Sequence, residues 1–139
     1  MSRYFIVSDA ESIALHATLA IAAAPGRQVK IRDIAATYQF SEAHLAKVLN
    51  RLVKAGMLRA TRGPSGGYQL AKPAEDITLF DIYRSIEGDL NGSRCMFRID
   101  ACEGMACPLG TFFDRISREI DDRLKTTRIA DLLKKEPPV

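Results

Sequence analysis

The fold is decided by residues 41–72, SEAHLAKVLNRLVKAGMLRATRGPSGGYQLAK. The stretch begins with Ser41, a good helix N-cap, and its apolar residues then recur three and four positions apart, as on one face of a helix. These residues are Leu45, Val48, Leu49 and Leu52. Gly56 suits the left-handed position that ends many helices. Two short apolar runs, residues 57–61 and 68–71, flank a glycine-rich turn, so we predict a helix followed by a β-hairpin.

Two further helices are predicted upstream of this stretch. Ser8-Asp9-Ala10-Glu11 fits a capping box, and the apolar residues from Ile13 to Ala24 continue a helix until Pro25-Gly26 breaks it. Residues 30–38 predict a second helix with its apolar face inward. Three helices and a hairpin make a winged helix-turn-helix domain.

The downstream half predicts helices on either side of an irregular segment. After a connector at residues 73–76, Thr78 opens a helix that ends at Gly88, and residues 89–108 show no sustained period. From Leu109 a long helix carries an apolar stripe, and a short final turn follows near residues 129–133. The stripe consists of Phe112, Phe113, Ile116, Ile120 and Leu124. We expect a mainly α protein with a small β-hairpin wing, divided into a winged-helix domain (1–76), a connecting helix and cysteine-rich loop (77–108), and a dimerisation helix and tail (109–139).

The composition allows one packed domain with an appendage. The chain has 139 residues, of which 47% are apolar and 27% charged. Its formal charge of +3 is too small to establish a nucleic-acid partner by itself. No apolar run is long enough for a membrane span and the first residues lack a signal peptide's apolar centre, so we expect a cytoplasmic protein with no membrane contact.

The positive charge is concentrated on the third helix and the hairpin. Six bases against the single acid Glu42 lie between residues 41 and 73, which suits counterion release from DNA phosphates while a helix enters the major groove. The predicted DNA-binding residues are Ser41, His44, Lys47, Arg51, Arg59, Arg62, Gly63, Pro64, Gly66, Gly67 and Tyr68. The helix residues would reach bases or backbone, and the wing would contact phosphates or the minor groove. The alternative is a solvated surface without acids; a nucleotide-binding loop is excluded because no Gly-Lys-Ser or Gly-Lys-Thr follows the glycines.

All three cysteines lie in the irregular segment. Cys95, Cys102 and Cys107 are separated by six and four residues, and thiolates at this density suit an iron-sulfur cluster or zinc. Neither pair is Cys-x-x-Cys, which argues against a compact zinc knuckle and a thioredoxin-like redox pair. Three unligated thiols are the remaining alternative.

These features together resemble the IscR/NsrR family of winged-helix regulators, the Rrf-type family, over essentially the whole chain. The resemblance rests on residues 45–58, on Arg62-Gly63-Pro64-Ser65-Gly66-Gly67-Tyr68, on Ile77-Thr78-Leu79-Phe80-Asp81-Ile82 and on the three cysteines. It implies a homodimer joined by the long C-terminal helix, a wing that enters the minor groove, and a 2Fe-2S or 4Fe-4S cluster that controls DNA affinity. It also implies a DNA-binding transcription regulator that acts as a repressor and responds to redox state, nitric oxide, or iron and iron-sulfur status.

The fourth cluster ligand is where the sequence departs from some relatives. The resemblance implies either a histidine three positions after the last cysteine, where this chain has Gly110, or a donor from the first helix, in some cases from the partner subunit. His16 matches the histidine position of redox-sensing relatives and is the preferred donor, with Asp9 as the reserve. A core histidine with an ordinary hydrogen bond is the alternative for His16, and the capping box is the stronger interpretation for Glu11.

The same residues allow two rival functions and one rival assembly. A thiol enzyme is disfavoured because neither His16 nor His44 stands in a recognisable catalytic pairing with a cysteine, so we expect no enzyme activity. A cluster-free winged-helix regulator, with zinc or free thiols in the loop, is the serious rival. For the apolar stripe of the last long helix, packing against the first helix of the same chain is the alternative to a dimer.

Overall fold

The computed structural model describes residues 7–88 and 108–134. In this part of the chain six helices and one hairpin follow in the order α1, α2, α3, β1, β2, α4, α5, α6. Their bounds are α1 Asp9–Ala22, α2 Ile31–Tyr38, α3 Glu42–Lys54, β1 Leu58–Thr61, β2 Gly67–Leu70, α4 Leu79–Glu87, α5 Gly110–Thr126 and α6 Ile129–Leu133. The predicted mainly α winged-helix fold is confirmed, with a 3-10 turn at Ala74–Asp76 as the connector.

The helix ends follow local capping chemistry. The Ser8 hydroxyl accepts from the Glu11 N–H while the Glu11 carboxylate accepts from the Ser8 N–H, which is the predicted capping box. Thr78 and Asp81 form the same box at the start of α4. Between α2 and α3, Gln39 adopts a left-handed conformation with φ 58°, so the turn is set by a non-glycine residue.

Strand β1 of the wing begins one residue later than predicted, and β2 begins and ends one residue earlier than predicted. Strands β1 and β2 are antiparallel, with Leu58 opposite Leu70 and Thr61 opposite Gly67. Val29 extends the sheet beyond β2, because its N–H and carbonyl both bond the backbone of Tyr68, at 3.0 and 2.9 Å. Strand β2 of the wing is therefore held, close to the hairpin turn, to the segment that precedes α2.

One apolar core joins the N-terminal and C-terminal helices. Its most completely buried side chains are Ile21, Ile34, Leu45, Leu49, Leu52, Ile77 and Ile129. Helix α6 packs on α1, and the Ile129 N–H donates to the Ile77 carbonyl at 2.8 Å. Helix α6 thus returns to the winged-helix core, and the three-part domain division stays a prediction.

Candidate nucleic-acid interface and metal centre

The surface of α3 is divided cleanly into an inner and an outer face. Leu45, Val48, Leu49 and Leu52 are buried, whereas His44, Lys47 and Arg51 are exposed. Because apolar residues three and four apart face the core, the cations between them are left on the solvent side. The structure therefore gathers the predicted base-reading and phosphate-binding residues of α3 on one exposed face.

Ser41, a predicted DNA-binding residue, is the N-cap of α3. Its hydroxyl oxygen accepts from the His44 N–H at 3.4 Å, so it satisfies one of the free amide groups at the start of α3. The remaining free amides at this end, together with the exposed His44 ring, form the part of the helix that would meet a groove first.

The wing tip presents Arg62, Gly63 and Pro64 to solvent. Gly66 and Gly67 are different, since a Cβ on Gly66 would lie 2.1 Å from the Thr61 carbonyl oxygen and one on Gly67 would lie 2.7 Å from the Val29 carbonyl oxygen. Both glycines are thus required by the hairpin itself. Their predicted role in letting DNA approach stays untested, and the same holds for Tyr68, whose side chain packs against the core.

Arg59 lies on the outer face of β1 opposite Gln69, beside Arg27 and Lys72. These cations line a shallow cleft of about 470 Å³ between the wing and the C-terminal end of α1. Arg59 and Arg62 therefore lie on the same hairpin but at different heights, with Arg62 at the tip and Arg59 nearer the base.

Arg51 is the one predicted DNA-binding side chain of α3 with a described bond to another helix. Its guanidinium Nη1 donates to the backbone carbonyl of Ile86 at 3.3 Å. Ile86 belongs to the last turn of α4, where carbonyl groups lack helical partners and a nearby cation is favourable. Sequence reasoning missed this contact because it joins residues 35 positions apart.

The three cysteines lie outside the described residues. Within residues 7–88 and 108–134, no three or more His, Cys, Asp or Glu side chains come together in a group that could hold a metal ion.

The beginning of α1 lies against the end of α4, where the cysteine-containing segment departs. The Ser8 hydroxyl donates to Glu87 Oε1 at 3.1 Å, and Gly88 is the last described residue before the gap. Asp9 is exposed in this first turn of α1. Asp9, which follows Ser8 in the chain, thus lies near the residues that directly precede the cysteine-containing segment.

His16 lies two turns further along and faces a different neighbour. Its ring makes edge contacts with Tyr38 and Phe40, with centroids 5.3 and 6.4 Å away, and its Nδ1 lies 2.7 Å from the Ser12 carbonyl oxygen. Tyr38 and Phe40 stack on each other beside the turn between α2 and α3. This packed, hydrogen-bonded setting is the alternative that the sequence left open for His16, although ligation itself is untested.

Glu11 is the residue whose environment sequence reasoning underestimated. Its capping bond uses Oε2, while Oε1 is buried without a hydrogen-bond partner among the described residues. Burial raises the pKa of the Glu11 carboxyl above its usual value, and Glu87 acts in the same direction, against the bonds from Ser8. The only signal in the sequence was the capping box, which accounts for one oxygen and leaves the other available to a donor or a metal.

The stripe of α5 is split between two environments. Phe113 is buried, whereas Leu109, Phe112 and Ile116 are 46%, 46% and 37% exposed. Leu124 lines a small apolar cavity against α1 and α4. Part of the stripe therefore packs within the chain, and the outward part remains uncovered.

Comparisons with known proteins agree with this geometry. The family model Rrf2, described as an iron-dependent transcriptional regulator, matches residues 7–135. The HTH-type transcriptional regulator BadM of Rhodopseudomonas palustris is 48% identical over 73 residues, which cover 52% of this chain and 47% of BadM, so the match spans about half of that relative. An HTH-type transcriptional regulator of Aquifex aeolicus is 31% identical over 92% of this chain and 91% of its own length.

Two solved structures have the same overall shape. CymR, the global cysteine regulator of B. subtilis, superposes with a TM-score of 0.79 at 24% identity, covering 96% of this chain and 99% of CymR. IscR of T. potens superposes with a TM-score of 0.74 at 27% identity, covering 94% of this chain and 87% of IscR. None of the helices in residues 7–88 and 108–134 combines the length and the hydropathy of a membrane span.

Proposed function

The chain belongs to the Rrf2 family of transcriptional regulators, and from this premise we propose that it is a dimeric repressor whose affinity for its operator is set by an iron-sulfur cluster. Its relatives are named as regulators and not as enzymes, in agreement with the expected absence of catalysis. We infer that the protein binds DNA in the cytoplasm.

The observation that carries the DNA-binding part is the exposed basic face of α3 beside the wing. His44 and Lys47 stand on the side of α3 that the core leaves free, and Arg62 stands at the wing tip. A helix of this kind fits the major groove, and an arginine on an adjacent hairpin can reach phosphates or the minor groove. The amide groups at the start of α3 would add contacts to phosphate.

The cluster part of the proposal rests on the donor set. Cys95, Cys102 and Cys107 supply three thiolates, and the described residues add an unpaired carboxylate oxygen on Glu11 and an exposed carboxylate on Asp9. Thiolate donors fit an iron-sulfur cluster, with either a 2Fe-2S or a 4Fe-4S core, and the family resemblance implies that the fourth donor comes from the first helix. The hydrogen bond between Ser8 and Glu87 favours a donor from the first turn of α1 over the predicted His16. It joins the start of α1 to the residues that directly precede the cysteine-containing segment. A bound cluster would supply a group that oxidation or nitric oxide can alter.

The uncovered face of α5 supports the homodimer. Three large apolar side chains that are 37–46% exposed on successive turns would be covered by a second copy of the same helix. A cluster-free regulator remains the second candidate, because CymR, whose fold the chain shares, is a cysteine regulator.

One experiment separates the two candidates. Protein purified without oxygen would be analysed for visible absorption, iron and sulfide, and then titrated with genomic DNA fragments that it selects. We expect a brown protein that loses its colour in each of the three Cys→Ala variants and changes operator affinity when the cluster is removed. Colourless protein that still binds a specific operator would establish the cluster-free candidate. Absence of sequence-specific DNA binding would overturn the proposed function as a whole.

Asp9→Asn, Glu11→Gln and His16→Ala variants identify the fourth ligand in the same preparation. A ligand variant should change the visible spectrum or shorten the cluster lifetime, while the other two keep the wild-type spectrum. If all three retain both the spectrum and the response to cluster loss, no described residue of α1 holds the cluster.

A further inference from the structure

Arg51 connects the DNA-facing helix to the point where α4 ends. Its Nη1 atom is 3.3 Å from the Ile86 carbonyl oxygen, and Ile86 lies two residues before Gly88. The side chain leaves from the last turn of α3, whose outer face carries Lys47 one turn earlier. The bond thus runs directly between the recognition helix and the last turn of α4.

The last turn of α4 is fixed from two sides. Arg51 of α3 binds the Ile86 carbonyl, and Ser8 of α1 binds the Glu87 side chain at 3.1 Å. Helices α1, α3 and α4 also pack on one another through the apolar core, in which Ile86 is 8% exposed. A displacement of this end of α4 can therefore be transmitted through two hydrogen bonds. Only the bond from Arg51 reaches α3 directly.

The chemistry of the contact suits a positioning role better than a DNA contact. The carbonyls of a final helical turn lack intrahelical partners, and a guanidinium that binds one of them also benefits from the negative end of the helix. Because its guanidinium donates to the Ile86 carbonyl, the Arg51 side chain is held toward α4 and away from a DNA phosphate. We propose that Arg51 is a positioning residue that couples the DNA-binding face of α3 to the C-terminal turn of α4. This inference rests on the proposed DNA-binding function and reassigns Arg51 within it.

Linkage makes the proposal testable without a cluster. Suppose that the Arg51 bond couples the DNA-binding face of α3 to the last turn of α4. Closing of that turn then raises operator affinity by some factor, and operator binding must favour the closed turn by the same factor. Amide hydrogen exchange at residues 84–88 reports local opening of that turn. The measurement compares free protein with protein saturated by its operator, for the wild type, Arg51→Gln and the matched control Lys47→Gln.

We expect operator binding to slow exchange at residues 84–88 about fivefold or more in the wild type and in Lys47→Gln, the lower range of usual coupling. Arg51→Gln should bind operator but lose this slowing. Arg51→Lys keeps the charge and loses the planar fork, so it should also lose most of the slowing, and it serves if the glutamine variant fails to fold.

Salt titration gives a second readout, because loss of a phosphate contact lowers the slope of log affinity against log salt by about one. Lys47→Gln should show that decrease and the Arg51 variants should not.

Three results would overturn the proposal. They are wild-type exchange at residues 84–88 that ignores the operator, slowing that persists in both Arg51 variants, and a salt slope that falls by about one when Arg51 is replaced. Failure of the wild type to bind any specific DNA would instead contradict the proposed function, so the two failures are distinguishable.

Discussion

Single residues of the wing show how tightly its backbone is built. Gly66 is buried, and its N–H donates to the Gly63 carbonyl at 3.0 Å across the turn. A methyl group at this position would lie 2.1 Å from the Thr61 carbonyl oxygen, which is a backbone atom and cannot move without moving β1. The glycine is therefore required by the space inside the turn.

We predict that Gly66→Ala lowers the free energy of unfolding by about 1–3 kcal/mol, because the turn must open to admit the methyl group. The exposed neighbour Ser65 provides the control, and Ser65→Ala should unfold within about 0.5 kcal/mol of the wild type. Urea unfolding of the three proteins checks this. Equal stability of Gly66→Ala and wild type would show that the turn adapts at little cost.

Arg62 at the wing tip carries the second prediction at this scale. Arg62→Ala should weaken specific operator binding by about 1–3 kcal/mol if the guanidinium enters a groove. Lys134→Ala removes one exposed positive charge at the end of α6, remote from α3 in sequence, and controls for the change in net charge. A titration in which both variants lose affinity equally would leave Arg62 with a nonspecific role.

Residue roles were the part of the site that the sequence predicted least well. The exposure of Lys47 followed from helical spacing, because neighbouring positions of α3 had to face the core. The Arg51 bond to Ile86, and the ring contacts of His16 with Tyr38 and Phe40, join residues far apart in the chain. A periodic pattern indicates which face of a helix is buried, but it does not identify which other element that face meets.

At the level of elements, the helices were predictable wherever capping chemistry and apolar period agreed. Helix α4 runs over Leu79–Glu87 as its Thr78 box and Gly88 indicated. Strand β2 lies one residue earlier than predicted, because Gly67 pairs with Thr61, and β1 begins one residue later than predicted, at Leu58. Helix α5 was predicted as a single apolar stripe, yet Phe113 turns into the protein while Phe112 remains exposed. Adjacent residues lie about 100° apart around a helix, so the stripe was broad enough to serve two partners.

The exposed half of α5 carries the prediction at this scale. Replacing Phe112 and Ile116 together with glutamate should convert the proposed dimer to a monomer, since two charges would be buried without partners in the interface. The pair is better suited than Ile116 with Ile120, because Ile120 is half-buried within the single chain. Sedimentation would be compared with Ser117→Glu, which adds a charge at an exposed position of the same helix. An unaltered dimer in the folded double variant would place the interface elsewhere.

The whole molecule combines two features that lie at different ends of the chain. The basic face belongs to α3 and the wing, whereas the uncovered apolar face belongs to α5. Helix α5 packs on α4 and α4 packs on α3, so pairing through α5 would fix the position of one basic face relative to the other. The fold class could be predicted from residues 41–72, but the packing of α6 on α1 could not. A helix of five residues is too short to show an apolar period from which a buried face could be predicted.

This architecture makes a prediction about the operator. A twofold dimer presents two identical recognition helices, so its operator should contain two half-sites about one helical turn apart, or a multiple of that distance. Five base pairs inserted between the half-sites would turn the second half-site to the opposite face of the duplex, and wild-type affinity should fall to that of a single half-site. The Phe112→Glu, Ile116→Glu double variant is the internal control, because a monomer binds each half-site independently and should be insensitive to the insertion. Fluorescence anisotropy with both operators and both proteins gives the four affinities. If the wild type binds the two operators equally, the two basic faces are not held in a fixed relation, and the dimer through α5 does not organise DNA binding.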